Sequence, residues 1–170
     1  MNQLNRAVAT ALTAIAAAGF AATSFASQAQ ALERQPFVEA ESVSLIRTAQ
    51  GLGIKVFIDP AECKENISLM GYMTSDGNLV LCAENHGDDL VEFADTIRHE
   101  LIHAVQFCIG NRAIFPDQIE TTRDFAQTDL GWDILGYPAY QWDTEGEART
   151  LAHIWDESDV ETALTRACTR

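Results

Sequence analysis

Positive charge is scarce in this sequence. Lys and Arg together number 11 against 25 acidic residues, and the formal net charge is −14 at pH 7. Such an acidic surface repels the phosphate backbone of nucleic acid and anionic membrane. The charge therefore excludes nucleic-acid binding as an expected function, while it leaves peptides and other small partners open.

Acidic residues are absent from residues 1–31, where Arg6 is the single base. An alanine-rich apolar stretch follows this basic head, and Ala29-Gln30-Ala31 supplies an A-x-A cleavage site. This order is typical of a secretory signal peptide. We expect residues 1–31 to be removed and residues 32–170 to form a single domain, secreted or periplasmic, with no stable membrane insertion. A cleavage site at residues 24–26 and a retained anchor are the alternatives.

The C-x-x-C spacing of many zinc sites is also absent. Four cysteines follow the signal segment, and an even number in an exported chain favours two disulfides. Three pairings are possible. We favour Cys63–Cys82, which closes a short loop, with Cys108–Cys168, which ties down the C-terminus; zinc bound by cysteines is the alternative.

Apolar periodicity and turn residues predict a sheet followed by helices. A strand is predicted over residues 54–58, and a hairpin joins residues 69–73 to 79–82 through the Asp-Gly turn at 76–77. No internal repeat interrupts this order. The fold class is therefore α+β: a small antiparallel or mixed sheet, then an active-site helix and further helices, stabilised by disulfides. Helices are predicted over residues 36–50, 88–108, 116–128, 143–156 and 159–167.

The sequence His99-Glu100-Leu101-Ile102-His103 fits H-E-x-x-H and lies within the predicted helix 88–108. Histidines at i and i+4 lie about 40° apart around the helix axis, so both imidazoles can reach one ion. Glu100 is offset from them and can take a proton from a zinc-bound water. The pattern predicts a Zn²⁺ site with His99 and His103 as ligands and Glu100 as general base. The core-facing stripe of the same helix comprises Leu90, Ala94, Ile97, Leu101 and Val105.

At these residues the chain resembles the zincin metallopeptidases, since residues 96–106 look like their active-site helix. The hairpin before it looks like the edge strand along which such enzymes lay a peptide. Gln106 and Ile109 stand where the metzincin subclass would have glycine and histidine, which excludes that subclass. The resemblance to gluzincins implies a glutamate from a later helix as third ligand.

Two glutamates of the predicted helix 143–156 are candidates for that ligand. Glu147 precedes alanine, as in gluzincins, and lies nearer the apolar stripe, so it is favoured over Glu145. Its capping-box spacing to Thr144 argues for a structural role instead. An aspartate or His153 is the remaining alternative. For the donor that stabilises the developing oxyanion, the sequence offers Tyr137, Tyr140, His153 and Arg149 without a choice among them.

The expected function is that of an exported zinc-dependent metallopeptidase, a hydrolase with Zn²⁺ as cofactor and a peptide or protein as substrate. The alternative is a secreted zinc-binding module without catalysis. The intact Glu100 favours the enzyme, because metal binding alone does not require it. Oligomeric state and substrate specificity stay open.

Overall fold

The structure, a computed structural model, describes residues 40–169, without the side chains of residues 40 and 134. The predicted signal peptide and the start of the helix predicted from residue 36 lie outside this range. The longer elements are α1 (Ala40–Gly51), β1 (Val56–Ile58), α2 (Ala61–Glu65), β2 (Gly71–Met73), β3 (Leu79–Leu81), α3 (Leu90–Cys108), α4 (Ile119–Thr128), α5 (Trp142–Ile154) and α6 (Glu157–Cys168). Short 3-10 turns occupy Ala83–His86, Pro116–Gln118, Ile134–Gly136 and Ala139–Gln141.

The three strands form a mixed sheet in the order β1-β3-β2. β1 runs parallel to β3, whereas β2 pairs antiparallel to β3 through the predicted hairpin. Gly77 adopts a φ of 79°, which the tight turn requires and which glycine adopts without strain. β3 is buried at the centre, and β2 lies at one edge of the sheet, as predicted.

Helix α3 begins after Asp89, whose side chain accepts a hydrogen bond from the Glu92 N–H and caps the first turn. It ends before Gly110 and Asn111, both with positive φ. Four of the five residues in the stripe predicted to face the core are buried: Ala94, Ile97, Leu101 and Val105. Leu90, at the first residue of the helix, is only half-buried. This stripe fixes α3 against the sheet and the other helices and leaves its histidine face toward a cleft.

α3 is the centre of the packing and contacts α1, α5, α6, β2 and β3. α5 packs in addition against α4, and α6 against α1. One apolar core runs through these elements, with Leu45, Ile46, Leu79, Leu81, Ile97, Leu101, Ile102 and Leu164 among its fully buried side chains. The predicted α+β class agrees with this small mixed sheet and its mostly helical surroundings. The order of sheet before helices holds only in part, because α1 precedes β1 and α2 lies between β1 and β2.

Two disulfides join Cys63 to Cys82 and Cys108 to Cys168, so the favoured pairing is confirmed. The second joins the last residue of α3 to the last residue of α6. Among the described helices, none is both long and apolar enough to cross a membrane. The two disulfides are consistent with the expected secreted or periplasmic location.

Candidate metal centre

His99 and His103 project side by side from α3 because they lie one turn apart. Their Nε2 atoms are 3.1 Å apart, and their rings meet edge to face with centroids 4.7 Å apart. Each side chain is 15% exposed, so both are accessible from the cleft while most of each ring is packed. The helix thus presents two nitrogen ligands to one point, as the sequence predicts.

Glu145, near the start of α5, completes a cluster with these histidines. Its carboxylate oxygens lie 3.5 Å from His99 Nε2 and 3.4 Å from His103 Nε2. The three side chains each offer one ligand atom, and these atoms lie within 4.8 Å of one another. Glu145 is therefore the glutamate that the fold brings to the histidines.

The ligand types and the size of this cluster are those of a group that could hold a metal ion. Zinc bonds of about 2.0–2.1 Å place neighbouring ligands of a tetrahedron about 3.3–3.4 Å apart. The two histidine nitrogens are 3.1 Å apart, close to that value. Glu145 approaches His99 with Oε2 and His103 with Oε1, and with one oxygen taken per carboxylate the three ligand atoms lie within 4.8 Å of one another. Two imidazoles and one carboxylate are also a ligand set that catalytic zinc uses, with a fourth position left for water or substrate.

Contacts within the cluster shift the pKa values of Glu145 and His103 in opposite directions. Burial alone would raise the pKa of Glu145, but hydrogen bonds and charge interactions with both histidines outweigh it and hold that pKa well below its usual range. Burial disfavours charged His103, yet its hydrogen bond to Glu145 and the charges of Glu100 and Glu145 raise the pKa of His103 to about 9. Glu100 and Glu145 therefore favour the positively charged form of His103, which lies between them.

Glu147, the glutamate favoured from the sequence, lies elsewhere. It is fully buried, and its two oxygens accept hydrogen bonds from the backbone N–H groups of Ile114 and Phe115, each at 2.7 Å. The capping box with Thr144 is not formed either, because α5 begins at Trp142 and the Thr144 hydroxyl donates to the Gln141 carbonyl. Glu147 does face inward, as predicted, but toward the segment that follows α3.

Glu100 lies beneath the histidines and is 5% exposed. One of its oxygens, Oε2, is buried and has no hydrogen-bond partner among the described residues. Burial raises the pKa of Glu100 above the usual glutamate range, and the neighbouring His99 and His103 offset only part of this rise. A buried carboxylate with a raised pKa and a free oxygen is suited to accept a proton and hold it briefly.

Two adjoining cavities meet at the cluster. One of about 710 Å³ extends from His103 and Glu145 along β2, and one of about 530 Å³ extends from His99 past Arg149 and His153. The two share a common stretch of wall and together form a cleft along the sheet edge. The shared residues are Leu69, Gly71, His99, Glu100 and Tyr137.

Arg149 is the cation in this cleft. Its guanidinium lies 5.9 Å from the Trp132 ring centroid and 5.8 Å from that of Tyr137, and it donates to the Tyr137 hydroxyl at 2.9 Å. Its Nε is buried without a hydrogen-bond partner within residues 40–169. Arg149 follows Glu145 by four residues and so shares its helix face, a signal that the sequence already contained.

The other two donors named from the sequence lie farther out. Tyr140 is 82% exposed on the wall of the larger cavity. His153 is exposed at the rim of the smaller one, where its ring faces Phe125 with centroids 6.1 Å apart. Arg149 and Tyr137, by contrast, are hydrogen-bonded to each other and line the smaller cavity together with His99 and Glu100.

Comparisons with protein-family models, curated proteins and solved structures return no match to this chain. The functional interpretation consequently depends on the chemistry of the cluster formed by His99, His103, Glu145 and Glu100, together with the cleft around it.

Proposed function

We propose that the protein is an exported zinc-dependent metallopeptidase, with His99, His103 and Glu145 as metal ligands and Glu100 as general base. The observation that carries the proposal is the close spacing of the donor atoms of His99, His103 and Glu145. They lie beside the buried carboxylate of Glu100, whose Oε2 has no hydrogen-bond partner among the described residues. The exchange of Glu147 for Glu145 is the one revision of the ligand set expected from the sequence.

The proposed chemistry divides between the metal and the chain. Bound zinc would polarise the scissile carbonyl and acidify a water molecule. Glu100 takes the proton of the attacking water and returns it to the leaving amine, for which its raised pKa is suited. Arg149 and Tyr137 supply hydrogen-bond donors for negative charge that develops on the carbonyl oxygen.

The cleft supports a peptide as the substrate. β2 is an edge strand, so its outer backbone groups are available to pair with an extended segment. The cleft runs along this strand and over Glu100, and its shared wall includes Leu69 and Gly71. A hairpin that precedes an H-E-x-x-H helix and flanks the same cleft also supports the proposed zincin-like arrangement.

The decisive experiment measures zinc and cleavage on the same protein. The mature domain, residues 32–170, would be reconstituted with zinc and incubated with a peptide library, in parallel with Glu100→Gln. Native protein should bind one zinc and cleave, whereas Glu100→Gln should keep zinc and lose activity by several orders of magnitude. Glu120→Gln, an exposed glutamate on α4, is the matched control and should behave as native.

The alternative function gives a different pattern. Stoichiometric zinc without cleavage in native protein would contradict the enzyme and leave a zinc-binding module. Failure of native protein to retain zinc would contradict both.

A further inference from the structure

The buried carboxylate of Glu147 is held by three N–H donors. Besides the two backbone groups of Ile114 and Phe115, the side-chain Nε2 of Gln106 donates to its Oε2 at 2.9 Å. Both oxygens therefore act only as acceptors, and no neighbour among these contacts calls for a proton on the carboxylate. Glu147 thus offers Gln106 a fixed acceptor of hydrogen bonds.

That acceptor determines the orientation of the Gln106 amide. Nε2 also donates to the Thr144 carbonyl at 3.0 Å, so two acceptors face the same end of the amide. If the Gln106 amide were reversed, its oxygen would face the Glu147 carboxylate and the Thr144 carbonyl, so that three acceptors would meet without a donor. The Gln106 oxygen must consequently point the other way, where it lies 2.7 Å from Nδ1 of His103.

An amide oxygen accepts and cannot donate, so the proton of this last hydrogen bond belongs to His103 Nδ1. With Nδ1 protonated, the neutral imidazole keeps its lone pair on Nε2, the atom that faces His99 and Glu145. Contacts of this kind beyond the ligands commonly fix the ring orientation and tautomer of metal-binding histidines.

We propose that Glu147 is a positioning residue of the metal centre, which selects through Gln106 the His103 tautomer whose Nε2 is free to bind a metal ion. The consequence for zinc rests on the proposed function, whereas the tautomer itself does not. The proposal also gives a reason for a fully buried glutamate two residues from the candidate ligand Glu145.

The first test observes the tautomer without metal. In mature protein with ¹⁵N-labelled histidine, long-range ¹H–¹⁵N spectra at pH 10 report which nitrogen of His103 carries the proton. Native protein should show protonated Nδ1, and Gln106→Met, which removes the acceptor but leaves both backbone hydrogen bonds of Glu147, should populate protonated Nε2. An Nε2–H form in native protein, or an unchanged Nδ1–H form in Gln106→Met, would overturn the proposal.

The second test measures zinc affinity by competition with a chelator. Gln106→Met and Glu147→Gln should each weaken zinc binding by about 10–100-fold, the usual effect of losing a partner behind a metal ligand. The matched control is Thr150→Val, which removes a buried 2.6 Å hydrogen bond on the same helix without touching Gln106 or His103. It should lower the melting temperature and leave zinc affinity within about threefold of native.

The two tests distinguish failure of the positioning role from failure of the proposed function. Equal zinc affinity in native, Gln106→Met and Thr150→Val would overturn the positioning role. If native protein binds no zinc, the proposed function fails, and the spectra of metal-free protein still decide the tautomer. If Glu147→Gln does not fold, the spectra and the zinc affinity of Gln106→Met still test the link through which Glu147 is proposed to act on His103.

Discussion

A β-carbon added to Gly71 would lie 3.1 Å from Cγ of Glu100. The edge strand β2 therefore crosses α3 at Glu100, and the absence of a side chain at position 71 permits this approach. The added atom would also meet Thr96 Cγ2 and the Val80 carbonyl oxygen, each at 3.1 Å. At 3.1 Å these neighbours would have to give by a few tenths of an ångström, and the Glu100 side chain is one of them.

Gly71→Ala should consequently lower kcat more than zinc affinity. Displacement of a catalytic group by a fraction of an ångström is expected to reduce kcat by about 10–100-fold. Overpacking should cost about 1–3 kcal/mol of unfolding free energy. Steady-state cleavage and zinc titration of the same preparation check this. Gly51→Ala is the control, since a β-carbon there meets nothing within 4 Å; equal kcat in both variants would contradict the assigned contact.

Glu145→Ala should abolish zinc retention. Loss of a ligand from a three-residue set should weaken binding by more than the roughly 100-fold that follows loss of an outer partner. Zinc content after dialysis against a chelator measures this directly. Glu147→Ala should give the smaller, indirect loss. The reverse order, with zinc kept in Glu145→Ala and lost in Glu147→Ala, would restore Glu147 as the ligand.

The exchange of these two glutamates shows what local sequence signals can determine. The histidine pair, Glu100 and the apolar stripe of α3 follow from helical periodicity within one element, and the sequence predicted their placement. Glu145 and Glu147 lie on one helix about 200° apart around its axis, so they meet α3 at different places, Glu147 at Gln106. Only one of the two glutamates can reach the histidine pair, and here it is Glu145. That choice depends on how α5 packs against α3, α4 and the 112–115 segment, which no local pattern records.

The sheet shows the same division. The Asp-Gly turn specified the antiparallel β2–β3 hairpin from adjacent residues, because a positive φ was needed at Gly77. The parallel pairing of β1 with β3 joins segments separated by α2 and β2, and the sequence predicted only a mixed or antiparallel sheet. Arg149 and Tyr137 likewise meet across a loop, so the sequence named both among four candidate donors without predicting that they pair.

Removal of either disulfide should lower the stability of the fold, and more so for Cys108–Cys168, which holds the end of α3. Closing the loop between Cys108 and Cys168 should contribute about 4 kcal/mol to stability, and closing that between Cys63 and Cys82 about 3 kcal/mol, from chain entropy alone. The paired replacement Cys108→Ser with Cys168→Ser should therefore lower the denaturation midpoint more than the same change at Cys63 and Cys82. Urea unfolding of the two double variants compares them, and equal midpoints would contradict the loop-length argument.

Zinc binding should release protons at neutral pH. The pKa of His103 is raised to about 9, so the metal-free imidazole is protonated at pH 7 and zinc must displace that proton. Apparent zinc affinity should rise with pH and level off above about 9. The same raised pKa stabilises the metal-free fold most below the unfolded histidine pKa, and this contribution is lost as the pH rises through about 9.

Calorimetric titration in buffers of different ionisation enthalpy counts the protons, and we expect about one per zinc from His103 at pH 7. Glu145 adds none near neutrality, because its pKa is held low in the metal-free protein. Zinc affinity that is unchanged between pH 6 and pH 8 would contradict the assigned ligand.

Arg149→Gln should lower kcat by about 10²–10³, the usual effect of removing one donor to a developing oxyanion, while zinc affinity stays near native. Tyr137→Phe should give a smaller loss, because the ring still stacks on the guanidinium and only the 2.9 Å hydrogen bond disappears. Arg123→Gln is the matched control, since it removes an arginine that links α4 to α5 through Asp143 outside the cleft. If kcat fell equally in Arg149→Gln and Arg123→Gln, the effect would belong to helix packing rather than to charge in the cleft.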